Sequence, residues 1–149
     1  MRIVHLRKRG VDVISFEQFK ADSHSPIYQQ IIRYIQRGVV AGSIRDGDEL
    51  PSRRVLSALL GVNPNTVQKS FHLLEEAGLI ASRLGSGSYM SLKEEQIFAI
   101  RQELLRQDTV VMINAMKQMG LSREQAHTLL EQFWDEEGPD NPMQKEDDV

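Results

Sequence analysis

Residues 52–78 read SRRVLSALLGVNPNTVQKSFHLLEEAG, and this stretch decides the fold. Ser52 stands just ahead of an apolar pattern, Val55, Leu56, Leu59 and Leu60, which stops at Gly61. A serine in front and a glycine behind are the N-cap and the C-terminal stop of a short helix. Asn63 followed by Pro64 opens another: the asparagine oxygen can accept from an open backbone N–H, and proline at the first helical position sacrifices no hydrogen bond. Val67, Phe71 and Leu74 then line one face until Gly78. Two short helices across a tight turn containing Gly61 make a helix-turn-helix, with Ser57 small where the helices approach. In proteins that read DNA, the second helix of this unit lies in the major groove.

With residues 67, 71 and 74 turned inward, Asn65, Gln68, Lys69 and His72 share the opposite face, at i, i+3, i+4 and i+7. Asn and Gln can pair bidentately with adenine, and Lys can reach guanine or a phosphate. A generic solvated face mixes Glu with Lys, whereas here Glu75 and Glu76 come only at the far end.

Ser25, as N-cap, and Pro26, as first helical residue, predict an earlier helix with Tyr28, Ile31, Ile32, Ile35 and Val39 recurring up to Gly42. After Gly78, the run Leu79 to Arg83, a turn at Leu84-Gly85-Ser86-Gly87 and the run Ser88 to Ser91 predict a hairpin. The glycine pair is no nucleotide cradle, lacking both a following Lys-Ser/Thr and a third glycine. Directly behind a helix-turn-helix it is a wing, with Arg83 and backbone amides available to phosphates or the minor groove.

The 149 residues contain no cysteine, which excludes disulfides, thiolate metal sites and a Cys nucleophile. Apolar runs fall far short of the roughly 20 residues a membrane span needs, and Arg2, His5 and Arg7 to Arg9 break any secretory h-region, so a cytoplasmic location is expected. Net charge is −3, unevenly spread: residues 1–91 carry 12 Lys or Arg against 8 Asp or Glu (+4), and residues 92–149 carry 6 against 13 (−7). With a Debye length of about 8 Å, the acidic half barely weakens a basic surface at a distance. The four histidines, His5, His24, His72 and His127, are scattered without metal-ligand spacing, and no nucleophile elbow occurs, so no catalytic residue, metal or cofactor is expected.

Four zones follow: an N-terminal arm, 1–25, whose apolar residues Val11, Val13, Ile14, Phe16 and Phe19 form a strand or turn of undetermined place; the winged domain, 26–91; a helical segment, 92–137; and a disordered acidic tail, 138–149. In the helical segment Ile97, Ile100, Leu104, Val111, Ala115 and Met119 form an apolar stripe, on one helix or on two broken at Asp108-Thr109. Ser122 and Gln125 form a capping box that opens another helix bearing Leu129, Leu130, Phe133 and Trp134. So short a segment cannot close a large core on itself. It either folds back on the winged domain or, as expected here, meets a second copy, since twofold DNA readers set two recognition helices about 34 Å apart. An effector pocket within one such segment is not expected, and any effector is unidentified.

Leu50-Pro51-Ser52-Arg53-Arg54, Leu60-Gly61-Val62-Asn63-Pro64-Asn65-Thr66-Val67, Leu74-Glu75-Glu76-Ala77-Gly78-Leu79-Ile80 and Gly85-Ser86-Gly87-Ser88-Tyr89 together resemble the winged helix-turn-helix domain of GntR-type bacterial transcription regulators. The likeness covers about 26–91, and the short helical remainder resembles the YtrA-like branch. It implies a mainly α fold with a small β-hairpin and a C-terminal helical dimerisation domain. By motif position it puts DNA contact on Arg54, Asn63, Asn65, Thr66, Gln68 and the wing-tip Gly85. Arg53, Lys69, His72 and Arg83 join them from the reading of the residues themselves. Pro64 and Leu84 stand where many members carry arginine and a basic or imidazole residue, so the operator should differ from those of better-known branches. The expected function is a homodimeric regulator, a repressor, of a palindromic double-stranded DNA operator. The alternative is a winged-helix protein-interaction module, which the basic third-helix face argues against.

Overall fold

The computed structural model describes residues 6–8, 11–85 and 87–136. In chain order the elements are β1 (Leu6–Lys8), β2 (Val11–Val13), α1 (Ile27–Ala41), α2 (Arg53–Leu60), α3 (Pro64–Glu76), β3 (Ile80–Arg83), β4 (Gly87–Met90), α4 (Glu94–Gln118) and α5 (Arg123–Phe133). They fall into two compact units, Met1–Arg101 and Gln102–Val149, with α4 beginning in the first and continuing into the second.

The first unit is a mainly helical winged domain built on α1, α2 and α3. Ile31 and Ile35 of α1, Leu56 of α2 and Val67, Phe71 and Leu74 of α3 are essentially inaccessible to solvent and belong to one core. The helix ends are set by local chemistry. The Ser52 hydroxyl accepts from Val55 N at 3.1 Å, and the Asn63 side-chain oxygen accepts from Asn65 N at 2.8 Å. Gly61 stops α2 in the left-handed region at φ 64°, where a side chain would be strained. At α1 the expected cap moves by one residue: Pro26 is the N-cap, with no side-chain cap bond, and Ile27 is the first helical residue. Ser25 is held instead through its carbonyl, which accepts from Gln30 Nε2 at 2.6 Å.

β3 and β4 pair antiparallel, Ile80 opposite Met90 and Arg83 opposite Gly87, which forms the expected wing. The N-terminal segment is more than an arm. β1 and β2 form a second hairpin, Leu6 opposite Val13. Ile14 and Phe16 enter the core, and the Phe16 ring stacks on Tyr34 of α1 at 5.0 Å between centroids. Glu49 bridges Val13 on one side and Tyr89 on the other, with Ile14 N donating to Glu49 O at 2.8 Å and Leu50 N to Ser88 O at 2.9 Å. Arg9 and the acidic tail, 138–149, lie outside the described residues.

In the second unit, α4 runs unbroken through Asp108 and Thr109, where an interruption was an open expectation. Each costs a helix only about 0.5 kcal/mol relative to alanine. One turn earlier Glu103 takes two bonds from Arg106, at 2.8 and 3.0 Å, and one from Gln107 at 2.7 Å, all within the helix. The capping box of α5 is complete: Gln125 N donates to Ser122 Oγ, and Ser122 N to Gln125 Oε1. The apolar stripe changes character along its length, with Ile97 and Ile100 half-buried, Leu104 buried and Val111, Ala115 and Met119 exposed. On α5, Leu129 is half-buried, Leu130 and Phe133 are exposed, and Trp134 just beyond is 71% exposed rather than packed.

Candidate nucleic-acid interface

The face of α3 away from the core is built by exclusion. Val67, Ser70, Phe71 and Leu74 are buried, and helical geometry then leaves Asn65, Gln68, Lys69 and His72 exposed, with Thr66 half-buried beside them. Buried Ser70 donates to Thr66 O and to Tyr28 O, each at 3.1 Å, so a hydrogen bond as well as apolar contact joins α3 to α1. The turn before α3 is fixed from α2. Ser57 Oγ donates to Val62 O at 2.6 Å, and Val62 N donates to Ser57 O at 3.1 Å. The position therefore needs a hydroxyl as well as small size.

Apart from Thr66 and Gly85, the expected site residues fall into three groups. Asn65, Gln68 and Arg54 are exposed, and their side chains can meet a ligand directly. Asn63 has committed its carbonyl oxygen to capping α3 and retains its amide donors, and His72 sits 3.2 Å from Glu76. The third group is cationic, and each member lies over an aromatic ring: Lys69 Nζ is 3.9 Å from the Tyr28 centroid, the Arg83 guanidinium 4.1 Å from Tyr89 and the Arg53 guanidinium 5.7 Å from Phe71. Arg53 is half-buried, with its Nε enclosed and unpartnered. Gly85 takes φ 76° in the wing turn, and Leu84 beside it is fully exposed.

Tyr28 and Tyr89 are not among the expected contact residues, and their rings lie under cations that are. Tyr28 registered only as a member of the apolar face of α1, and its cation lies 41 positions further along the chain. No local spacing encodes such a pair. Arg7 and Lys8 lie on β1, and only their backbone is described.

A helix-turn-helix with an outward amide and ammonium face, flanked by a two-stranded wing, defines a winged-helix transcription regulator of the DNA-binding class. The family model for bacterial regulatory proteins of the gntR family matches residues 27–90. The uncharacterized HTH-type transcriptional regulator YhcF of Bacillus subtilis is 33% identical over 103 residues, covering 69% of this chain and 85% of its own. The HTH-type transcriptional repressor YtrA of Bacillus subtilis is 37% identical over 93 residues, covering 58% of this chain and 72% of its own. Among solved structures, a GntR family transcriptional regulator from Listeria monocytogenes superposes with a TM-score of 0.66 at 32% identity, covering 75% of this chain and 98% of that one. The chain belongs to the GntR family of regulators, in its YtrA-like branch, and is not an enzyme. Among the described residues no helix is long and apolar enough to cross a membrane.

Proposed function

We propose that the protein is a transcriptional repressor that binds a palindromic operator as a homodimer, with α3 in the major groove and the wing on the adjacent backbone or minor groove. The observation that carries this reading is the outward face of α3, where Asn65, Gln68 and Lys69 stand free of the core on a helix whose other face is fixed by Phe71 and Ser70. In this reading Asn65 and Gln68 read base edges, while Arg53, Arg54, Lys69 and Arg83 meet phosphates. Asn63, Thr66, His72 and Gly85 border the contact.

Dimerisation is supported by the apolar side chains that one copy leaves open to water: Val111, Met119, Phe133 and Trp134 are each more than half exposed. So many large apolar groups on a small unit favour a partner surface. Ala115, Leu129 and Leu130 extend that proposed surface, whereas Ile97 and Ile100, expected there, pack against the winged-domain core, and Leu104 is already buried in one copy. Repression is supported by the likeness to YtrA of Bacillus subtilis, a transcriptional repressor.

Selection of bound fragments from random double-stranded DNA, with sedimentation of the complex, tests the reading. A palindromic consensus bound by two protein copies is expected. Arg54→Ala should weaken binding to all sequences, whereas Gln68→Ala should mainly relax sequence preference. Retention of no DNA at low salt would refute the proposal.

A further inference from the structure

Tyr28 sits on α1, outside the helix-turn-helix, yet its ring carries the ammonium of the central cation of α3 at 3.9 Å from the centroid. Tyr28 is tied at its backbone and at its phenol. Its backbone carbonyl accepts from the buried Ser70 hydroxyl of α3 at 3.1 Å, and its phenol oxygen accepts from Gln29 Nε2 at 3.1 Å. An exposed lysine otherwise samples many rotamers, and ordering it on binding costs about 0.5–1.5 kcal/mol. Here α1 supplies a platform that holds the charge at the α1-facing edge of the stripe that Lys69 shares with Asn65 and Gln68, next to the α1 N-terminus. Held there, the Lys69 ammonium stands beside the Tyr28 ring at the edge of the exposed stripe.

We infer that Tyr28 is a positioning residue that parks Lys69 for a phosphate of the DNA backbone, so that Lys69 contributes affinity without sequence preference. This rests on the proposed entry of α3 into the major groove and assigns Lys69 to one of the two partners its chemistry allows. A cation over an aromatic face at an exposed site is worth roughly 0.5–1 kcal/mol, a factor of about 2 to 5 in an equilibrium constant.

The test is a double-mutant cycle in DNA binding, measured for wild type, Lys69→Ala, Tyr28→Leu and the pair, on the selected duplex and on a scrambled duplex across a salt series. Lys69→Ala should lower affinity for both duplexes by the same factor and reduce the slope of log K against log salt by about 0.9 per bound protomer. Tyr28→Leu should cost about 2- to 5-fold on both duplexes, and much less once Lys69 is alanine. Tyr28→Phe, which keeps the ring, should recover the loss. Thermal melting of each variant separates a folding defect from a binding defect, and Lys69→Ala at an exposed position supplies the phosphate test whether or not Tyr28→Leu folds. A selective loss on the cognate duplex with Lys69→Ala would overturn the phosphate assignment. Additive losses in Tyr28→Leu and Lys69→Ala would overturn the positioning role. Failure of the wild-type protein to bind any duplex would instead strike the proposed function itself.

Discussion

The turn between α2 and α3 offers a stringent prediction, because small size and hydrogen bonding at Ser57 can be separated by one atom. Ser57 is 7% exposed and donates to Val62 O at 2.6 Å, while its own carbonyl accepts from Gly61 N and Val62 N. Ser57→Ala keeps the close approach of the helices and deletes only the hydroxyl. A buried acceptor stripped of its donor costs about 1–3 kcal/mol, and because Val62 is half-buried the lower part applies, about 1–2 kcal/mol. For a unit of this size that corresponds to a fall in melting temperature of roughly 5–15 °C. The assay is urea unfolding followed by circular dichroism, in which the midpoint should move while the slope is unchanged. Ser57→Val adds overpacking of about 1–3 kcal/mol to the same loss, so it should be the more damaging variant. A Ser57→Ala protein within about 0.3 kcal/mol of wild type, inside the spread of ordinary surface substitutions, would refute the hydrogen-bond role and leave side-chain size as the sole requirement.

Gln30 should be the most sensitive polar residue of α1. Its amide makes three bonds to the backbone of residues 22 and 25, so Gln30→Ala should cost about 2–4 kcal/mol in chemical denaturation. Gln30→Glu would set a carboxylate against the carbonyls of Asp22 and Ser25, raising its folded pKa above the unfolded value of about 4.3. That variant should be most stable below pH 4 and lose stability as pH rises through the folded pKa. Gly61→Ala should cost about 1–2 kcal/mol from left-handed strain alone, since a Cβ there meets nothing within 4 Å, and Gly61→Asn should cost less, both read by urea unfolding. The Arg106 guanidinium, with help from Gln107, lowers the Glu103 pKa from 4.5 to about 2. Its contribution is present above the unfolded value and is lost as pH falls toward about 2, so NMR titration of Glu103 should give a midpoint near 2 that rises toward 4.5 in Arg106→Ala.

What the sequence declares is what its chemistry settles within a few residues. Ser52 and Asn63 cap helices through bonds to N–H groups two or three positions away, and Ser122 with Gln125 closes a box within one turn. The outward face of α3 follows from the same 3.6-residue period that buries Val67, Phe71 and Leu74. The N-terminal segment escaped that logic because its partners are remote: Ile14 is fixed by Glu49, and Phe16 by Tyr34. Pro26 displaced Ser25 from the cap because Gln30, a later residue, claims the Ser25 carbonyl. On α4 the stripe from Ile97 to Met119 keeps one face of the unbroken helix, but Val110, Met112 and Ile113 set further exposed apolar groups around it. Tyr28 stayed hidden for the same reason as the N-terminal segment, because the cation above it is remote in sequence.

An isolated two-stranded hairpin is marginal in water. The wing escapes that fate because β4 is an interior strand, flanked by β3 on one side and by the backbone around Glu49 on the other. Its ordering is therefore bought by folding rather than by association. In the proposed reading a duplex meets wing strands that are already ordered, and the heat capacity change of complex formation should chiefly reflect the surface covered.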